Sequence, residues 1–214
     1  MRIRELKSIN TPNKKALNTL SQSAIRKQLR KRRKNLNKVR QLNAGLKLAK
    51  RISRQAFFIQ AKSIALYLPN DGEISALPLL KLALAQNKDC YLPCIDQPTK
   101  PLHFRLYRPF AQMQANLFNI KEPSSHTKTI PPSQLDLVFV PLVAFDKRGS
   151  RIGMGGGFYD RTFAFKQQET RTVMPPHLVG LAHSFQQVQR IKRNKWDVPL
   201  TAVVTESAVI QVRE

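Results

Sequence analysis

The segment VPLVAFDKRGSRIGMGGGFYDR, from Val140 to Arg161, decides the fold. It joins a strongly apolar run to a loop with four glycines between Gly153 and Gly157, and the residues after the glycines are typical of a helix start. Glycines at such a junction let the backbone pass close to a ligand and turn N–H groups toward it, and a helix N-terminus adds partial positive charge. Because ligands of open α/β sheets bind at the carboxyl ends of the strands, we predict the ligand site here.

Short apolar runs alternate with helical patterns on both sides of this segment. The predicted strands cover Ser63–Pro69, Asp89–Ile95, Leu102–Tyr107, Leu135–Phe145, His177–His183 and Thr201–Thr205. The predicted helices run from Ser21 or Ser23 through Ile25, Leu29, Arg33 and Leu36, over Leu42–Gln60 with Leu46, Ala49, Ile52, Ala56 and Ile59 on one face, over Ala76–Gln86, and onward from about Phe158. The segment Glu122–Pro132 is interpreted as a long surface loop. This alternation predicts one three-layer α/β domain over residues 21–214, Rossmann-like, with a largely parallel central sheet flanked by helices and preceded by basic N-terminal helices.

The positive charge is concentrated at the N-terminus. The formal net charge is +24, and residues 1–54 contain 18 of the 37 Lys and Arg residues with a single acid, Glu5. Residues 1–20 show no organised amphipathic face, so we interpret them as a mobile basic arm rather than a mitochondrial targeting segment. The rest of the chain is moderately basic, which suits an anionic ligand.

No apolar run approaches the length of a membrane helix, and none near Met1 is typical of a secretory signal. A cytoplasmic protein without a membrane partner is therefore expected. Cys90 and Cys94, at spacing C-x-x-x-C, match neither a redox motif nor a zinc site, and we predict buried free thiols in a strand.

Charged residues beside the glycine loop favour phosphate chemistry. Arg151 and Arg161 bracket it, and we predict both as catalytic residues because guanidinium groups donate in a fork that matches phosphate oxygens. Asp160 is placed to hold Mg²⁺ beside a polyphosphate, or it is only a helix-start acid. Phe158 and Tyr159 either stack on a flat ligand or pack in the core. The loop is not a P-loop, and the glycines by themselves fit a tight turn equally well.

Five sequence pieces in a fixed order carry a family resemblance. They are RKQLR (Arg26–Arg30), YLPNDGEIS (Tyr67–Ser75), NIKEP (Asn119–Pro123), the glycine segment starting at Pro141, and KWDVPLTAVVT (Lys195–Thr205). Together they resemble the 5-formyltetrahydrofolate cyclo-ligase family, also called 5,10-methenyltetrahydrofolate synthetases, over about residues 22–206. Arg26 stands where many members have Lys, which keeps the charge. Residues 1–20 lie outside the resemblance.

The resemblance implies a set of ligand contacts. For ATP they are Arg26, Lys27, Gln28, Leu29, Arg30, Arg151, Ile152, Gly153, Met154, Gly155, Gly156, Gly157, Phe158 and Tyr159. For the folate they are Leu68, Glu73, Met154, Gly155, Gly156, Gly157 and Phe158, and for Mg²⁺ they are Asp160 and Asp197. Without the family, Glu73 would be interpreted as a solvated turn residue and Asp197 as a helix or turn cap before Pro199.

The implied activity is an ATP- and Mg²⁺-dependent cyclisation of 5-formyltetrahydrofolate, a small-molecule substrate, by a monomeric enzyme. One alternative is a nucleic-acid-binding protein, since RKQLRKRRK (Arg26–Lys34) attracts phosphate, but aromatic residues for base stacking are lacking there. We therefore expect no specific nucleic-acid partner and at most weak non-specific binding by the basic N-terminus. A second alternative, a dinucleotide-binding oxidoreductase, lacks the early glycine fingerprint.

Overall fold

A computed structural model describes residues 20–167 and 174–212. The α-helices in these ranges are α1 (Gln22–Lys34), α2 (Lys38–Ile52), α3 (Ala56–Gln60), α4 (Leu77–Ala85) and α5 (Phe158–Thr162). The strands are β1 (Ser63–Ala65), β2 (Asp89–Cys94), β3 (His103–Tyr107), β4 (Met113–Ala115), β5 (Lys121–Pro123), β6 (Thr129–Ile130), β7 (Leu137–Pro141), β8 (Ala144–Phe145), β9 (Arg151–Ile152), β10 (His177–Leu181), β11 (Ala202–Val204) and β12 (Val209–Gln211).

The main sheet has eight strands in the order β12-β11-β10-β7-β1-β2-β3-β6. The five strands from β11 to β2 are parallel, whereas β12, β3 and β6 pair antiparallel at the two edges. Two small hairpins, β4–β5 and β8–β9, stand apart from it. The predicted fold class, an α/β domain with a largely parallel sheet flanked by helices, is confirmed.

Both faces of the sheet are buried, as the apolar strands require. Successive residues of a strand point to opposite faces: Leu137 and Phe139 pack with Leu48 of α2 in one cluster, and Val138 packs with Phe163 in the other. A third, smaller cluster holds α1 against the β8–β9 hairpin through Ile25, Leu29, Val143, Ala144 and Ile152. The sheet core therefore fixes the strands, and α1 is attached beside their ends.

The long helix predicted over Leu42–Gln60 is wrong in its bounds. Helix α2 starts earlier because the Asn37 side chain caps it, accepting a hydrogen bond from the Arg40 N–H at 2.8 Å. It ends at Ile52, and a turn over residues 53–55 precedes α3, which lets both Ile52 and Phe58 reach the core. The predicted apolar face is correct only in part, because Ala49 and Ile52 are buried whereas Leu46, Ala56 and Ile59 are exposed.

The predicted central strand Leu135–Phe145 is two strands. Strand β7 ends at Pro141, which has no N–H to continue the ladder. Beyond it, the Gln186 side-chain amide replaces the missing strand hydrogen bonds by donating to the carbonyl oxygens of Leu142 and Val143 at 2.9 and 2.8 Å. The chain then turns into the β8–β9 hairpin that carries the glycine loop. The predicted loop Glu122–Pro132 also contains paired residues, since β5 and β6 fall within or across its bounds.

The structure also bears on the predicted helix cap, the two cysteines and the absence of a membrane helix. Ser21 caps α1, with its side chain accepting from the Ala24 N–H at 3.2 Å. Cys90 and Cys94 are buried free thiols, and burial raises both pKa values to about 12. Over residues 20–167 and 174–212, no helix is long and apolar enough to cross a membrane. The N-terminal arm predicted over residues 1–20 falls, except for Leu20, outside the described residues and stays a prediction.

Two leucines on opposite faces of α2 test the packing. Leu48 is fully buried and Leu46 is 51% exposed. We expect Leu48→Ala to lower the free energy of unfolding by about 2–5 kcal/mol, because a buried side chain leaves a cavity. The matched control Leu46→Ala should change it by no more than about 0.5 kcal/mol. Urea denaturation of both variants measures this, and equal losses would contradict the observed orientation of α2.

Candidate active site

A cleft of about 620 Å³ opens where β1, β2 and β7 end. Its position at the carboxyl ends of parallel strands is the one predicted from the glycine segment, and its volume lies within the usual range for a small-molecule site. The lining residues come from α1, the turn after β1, the ends of β2 and β7, the β4–β5 hairpin, the glycine loop and the loop before β11. Segments distant in the sequence therefore meet at one site.

The glycine loop, residues 153–157, forms one wall of the cleft between β9 and α5. Gly155 has φ +110°, which residues with side chains rarely adopt, and a Cβ there would meet nothing within 4 Å, so its requirement is conformational. Among the described residues, the N–H groups of residues 154–157 donate to no protein acceptor. Because α5 has only five residues, the helix dipole that the sequence suggested as a source of positive charge is short, and the loop N–H groups are the donors available at this wall.

The Arg26 side chain supports this loop from α1, donating from Nε to the carbonyl oxygen of Gly153 at 2.8 Å. Arg26 thus joins the first sequence piece of the resemblance to the fourth. The structure therefore brings together a basic segment and a glycine-rich segment that are more than a hundred residues apart in the sequence.

Arg151 and Asp160 form a partly buried ion pair beside the loop. Arg151, whose side chain is 7% exposed, donates from Nη2 to Oδ1 of Asp160 at 2.5 Å and also donates to the carbonyl oxygen of Val198. The Val198 N–H donates to the same Asp160 oxygen at 3.1 Å. Burial lowers the pKa of Arg151, while the nearby carboxylates of Asp160 and Asp197 oppose that shift. The pair fixes Asp160 at the cleft wall.

Two carboxylates of the cleft have the chemistry of a magnesium site. Asp197 accepts from the Asn194 N–H through Oδ2 at 2.7 Å, as the turn-cap interpretation predicted. In the described part of the chain, Oδ2 of Asp160 and Oδ1 of Asp197 accept no hydrogen bond. The same part contains no cluster of three or more His, Cys, Asp or Glu residues suited to a metal. Mg²⁺ commonly takes one or two carboxylates plus phosphate oxygens, so this pair fits it.

Glu73 faces the cleft from the turn after β1. Its side chain is only 11% exposed; Oε2 accepts from the Asn70 N–H at 3.1 Å, and Oε1 lies 4.0 Å from Nη1 of Arg33. Burial raises the pKa of Glu73 to about 7, although the Asn70 hydrogen bond and the Arg33 charge oppose that rise. Glu73 is therefore a largely buried carboxyl with a raised pKa, rather than a solvated turn residue.

Apolar and aromatic side chains form another part of the cleft wall. Phe118, at the tip of the β4–β5 hairpin, meets Phe158 edge-on with ring centroids 6.0 Å apart. Leu92, Ile95, Leu102, Ile120 and Trp196 line the same region. Glu122 of the NIKEP piece is buried and holds the hairpin, accepting from the Ile95 N–H at 3.1 Å and from the Asn116 side chain at 2.5 Å. This wall suits a flat aromatic ligand.

The structure places most of the predicted site residues at the cleft. The lining set includes Arg26, Leu68, Glu73, Arg151, Ile152, Gly153, Met154, Gly155, Gly156, Gly157, Phe158, Tyr159, Asp160 and Asp197. Five others do not line it, namely Lys27, Gln28, Leu29, Arg30 and Arg161.

One of these five needs correction. Leu29 is fully buried in the small apolar cluster under α1, so its side chain cannot contact ATP. Arg161 is exposed and does not itself line the cleft, but its guanidinium lies 5.1 Å from the ring centroid of Phe158, which does, and it donates to the Pro98 carbonyl oxygen at 3.0 Å. Its catalytic role stays a prediction. Arg30 faces Asp71, with Nε 2.8 Å from Oδ2.

Sequence reasoning missed several residues of the cleft. Asp71, Asn116 and Phe118 line it without having been singled out, and Arg33 lies behind it. A signal existed for Arg33, because a charged residue at the spacing of Ile25 and Leu29 falls on the apolar face of α1 and must find a buried partner. No local signal identified Phe118, which reaches the site only through the fold of its hairpin.

Comparisons with known proteins agree with this geometry. The model of the 5-formyltetrahydrofolate cyclo-ligase family matches residues 18–206. The 5-formyltetrahydrofolate cyclo-ligase of Haemophilus influenzae is 42% identical over 186 residues, covering 86% of this chain and 97% of that protein. Its Escherichia coli counterpart is 36% identical over 184 residues, covering 85% and 98%. An NMR structure of Aquifex aeolicus 5,10-methenyltetrahydrofolate synthetase has a TM-score of 0.77 and 30% identity, covering 91% of this chain and 94% of that one.

The match of the family model spans the cleft and every segment that lines it. The alignments cover nearly the whole length of both relatives, and the solved structure shares the fold. The resemblance inferred from five ordered sequence pieces is thereby confirmed. The chain belongs to the 5-formyltetrahydrofolate cyclo-ligase family and is an enzyme of the ligase class.

Proposed function

We propose that the chain converts 5-formyltetrahydrofolate to 5,10-methenyltetrahydrofolate with consumption of Mg²⁺-ATP. The observation that carries the proposal is one cleft that two sets of groups line together. The first set is the loop N–H groups that donate to no protein acceptor, with the carboxylates of Asp160 and Asp197, and the second is the Glu73 carboxyl with the aromatic side chains. The first set suits a metal-bound polyphosphate, and the second suits a flat heterocycle with hydrogen-bond donors. We further propose that the enzyme is a cytoplasmic monomer.

The chemistry requires activation of a poor electrophile. The N5-formyl group is an amide, so its carbonyl carbon resists attack and its oxygen does not leave. In the proposed reaction the γ-phosphoryl group passes from ATP to the formyl oxygen, and ADP departs. N10 then attacks the formyl carbon and gives up its proton, and the C–O bond breaks to release phosphate, which can take that proton. Oxygen leaves as phosphate, and the former formyl carbon remains as the methenyl bridge between N5 and N10.

The protein contributes mainly positioning and charge neutralisation to such a transfer. The N–H groups of residues 154–157 are placed to donate to phosphate oxygens, and the Arg26 hydrogen bond to Gly153 keeps the loop in that shape. Arg151 holds Asp160 at the cleft wall, where Asp160 and Asp197 each offer one carboxylate oxygen. When bound there, Mg²⁺ would offset negative charge on the transferred group.

Glu73 and the aromatic side chains of the cleft would orient the substrate. The Glu73 carboxylate is placed to accept hydrogen bonds from the donor edge of the pterin. Phe118 and Phe158 present ring edges and faces on which a planar ring system can pack. The two ends of the folate would then lie across the cleft, with the formyl group directed toward the glycine loop.

The first test is the reaction itself. Purified protein should form 5,10-methenyltetrahydrofolate from 5-formyltetrahydrofolate only when ATP and Mg²⁺ are both present, because both are needed to make the formyl oxygen a leaving group. Absorbance of the methenyl product measures it, with ADP release in a parallel assay. Absence of folate-dependent ADP release across neutral and mildly alkaline pH would refute the proposed function.

The second test concerns Asp197. We expect Asp197→Asn to fold normally and to lose turnover by about tenfold or more, since each 1.4 kcal/mol of lost transition-state stabilisation is a factor of ten in rate. Raised Mg²⁺ or Mn²⁺ should restore part of the activity. Asp160→Asn should lose turnover as well, but it should also be less stable because it leaves the buried Arg151 without its partner.

A carboxylate away from the cleft supplies the control for this test. Asp89 is 49% exposed and pairs with Arg108 at 2.7 Å on the surface. Asp89→Asn should leave turnover and its metal dependence unchanged. If Asp197→Asn is as active as this control at low Mg²⁺, then Asp197 does not hold the metal.

The third test concerns Glu73. Glu73→Gln should raise the Kd for the folate by about tenfold, since hydrogen bonds to charged groups contribute about 1.5–3 kcal/mol, while the Kd for ATP stays within about twofold. In the native protein the folate Kd should rise as the pH falls through about 7, because the accepting carboxylate becomes protonated. Separate titrations with each ligand measure both effects.

The stability of this variant provides an independent check on the same carboxyl. A folded-state pKa above the ordinary value means that folding favours the protonated form, so the native protein loses stability as the pH rises from about 4.5 to about 7. Glu73→Gln removes that loss and should be at least as stable as the native protein at pH 8. A variant that is less stable and loses both ligands equally would show that Glu73 is structural.

A further inference from the structure

Arg33 is a fully buried charged side chain that the proposed reaction does not use. Its side chain has 0% exposure, yet it lies on a helix whose other basic residues mostly reach solvent. It donates from Nε to the carbonyl oxygen of Asp71 at 3.0 Å, from Nη2 to Oδ2 of Asp71 at 2.8 Å, and from Nη1 to the carbonyl oxygen of Leu142 at 3.1 Å. One guanidinium group therefore joins α1, the turn after β1 and the end of β7.

Two further groups complete its surroundings, and both lie in the cleft. The Sδ atom of Met154, in the glycine loop, is 3.7 Å from Nη2 of Arg33. Oε1 of Glu73 is 4.0 Å from Nη1. Arg33 thus lies directly behind the point where the proposed folate contact and the proposed phosphate loop approach each other.

The turn that carries Glu73 is clamped against α1 around Asp71. Arg30 and Lys34 approach the Asp71 carboxylate at 2.8 and 2.7 Å, in addition to Arg33. Burial alone would raise the pKa of Asp71, but the hydrogen bonds from Arg30, Lys34 and Arg33 outweigh it and hold that pKa well below the usual range. Asp71 is therefore ionised throughout the working pH range of an enzyme.

The next residue makes the clamp tight. Gly72 has φ +74°, and a Cβ there would lie 2.8 Å from the backbone carbon of Arg33. The turn backbone thus touches the backbone of α1, and its conformation excludes a side chain. The position of Glu73, one residue further on, depends on this contact.

We propose that Arg33 is a positioning residue of the active cleft: from the buried face of α1 it fixes the Asn70–Glu73 turn relative to the glycine loop, so that Glu73 meets the folate in one orientation. The inference rests on the proposed function, since it concerns the folate contact of the same site. A stabilising role alone explains the arrangement poorly, because a buried ion pair contributes little net stability once the desolvation of both charges is counted. The planar guanidinium group, with five donors in fixed directions, instead fixes the relative positions of the groups to which it donates.

Arg33 also sets the charge that Glu73 experiences. The charged and titratable groups near Glu73 are Arg33, Asp71 and the buried phenols of Tyr67 and Tyr159, and the Tyr67 hydroxyl donates to the carbonyl oxygen of Ile74, next to Glu73. Arg33 lowers the pKa of Glu73 while Asp71 raises it. His183, whose pKa is lowered to about 4 chiefly by burial and also by the Arg33 charge, is neutral at working pH. Removal of the Arg33 charge must therefore move the Glu73 titration to higher pH.

Binding of 5-formyltetrahydrofolate can be followed by tryptophan fluorescence in the absence of ATP, so that no turnover occurs. Trp196 is the sole tryptophan of the chain, and it lines the cleft. The decisive variant is Arg33→Lys, which keeps the charge but loses the fork. We expect its folate Kd and KM to rise by about fivefold or more while the ATP KM stays within about twofold, the pattern of a lost folate contact. Arg33→Met, which lacks the charge, should in addition shift the pH below which folate binding weakens to a higher value.

Arg32→Lys is the matched control on the same helix. The Arg32 guanidinium stacks on Phe185, 4.3 Å from the ring centroid, and lies outside the cleft lining. This variant should leave the folate Kd and the pH profile unchanged. If Arg33→Met does not fold, the comparison of Arg33→Lys with Arg32→Lys still decides.

The possible failures are distinguishable. If the native protein neither binds nor converts the folate, the proposed function falls and the role of Arg33 falls with it. If the native protein is active, but Arg33→Lys lowers only the thermal midpoint or kcat at an unchanged folate Kd, then Arg33 is structural and only this inference is overturned.

Discussion

The parallel alignment of β2, β1, β7, β10 and β11 is the constraint on which the rest of the structure depends. Parallel strands carry their carboxyl ends to one edge, so the turn after β1, the end of β2 and the end of β7 open into the same cleft. The alignment is stable because both faces of the sheet are covered by apolar clusters. Every functional segment is attached to that edge rather than to the core itself.

Attachment at the edge is achieved by buried polar contacts. Gln186 satisfies the Leu142 and Val143 carbonyl groups where the β7 ladder stops, which frees the chain to form the β8–β9 hairpin below the glycine loop. Arg151 ties that hairpin to Asp160 and to the loop before β11. These contacts are costly to bury unless every partner is present, which makes them suited to fixing one arrangement of the site.

The structure assigns separate contacts to the basic residues of α1. From the sequence alone, the run from Arg26 to Lys34 was interpreted only as a segment that attracts phosphate. In the fold its members separate by direction: Arg26 supports the glycine loop, Arg30 and Lys34 hold Asp71, and Arg33 is buried behind the cleft. Helical periodicity places neighbours in sequence on different faces, so one charged run serves several distinct contacts.

Local sequence determined the class of fold, the approximate positions of most strands of the main sheet, and the place of the glycine segment near the carboxyl end of a central strand. Apolar periodicity and the conformational freedom of glycine are local properties, and they are legible without coordinates. The ordered sequence pieces also identified the family. Pro141 and Asn37 are local signals of a strand end and of a helix start. Apolar periodicity by itself does not register either signal, so the predicted strand ran too far and the predicted helix started too late.

Only the tertiary structure decided which side chains share the cleft and in what electrostatic state. The 620 Å³ cleft contains Phe118 because a hairpin folds over it, and the Arg161 guanidinium stacks on the Phe158 ring instead of lining the cleft itself. The raised pKa of Glu73 depends on burial, and its distance from Arg33 depends on contacts between residues far apart in the chain. Burial and long-range proximity are properties of the packed molecule, so no local pattern of residues could have specified them.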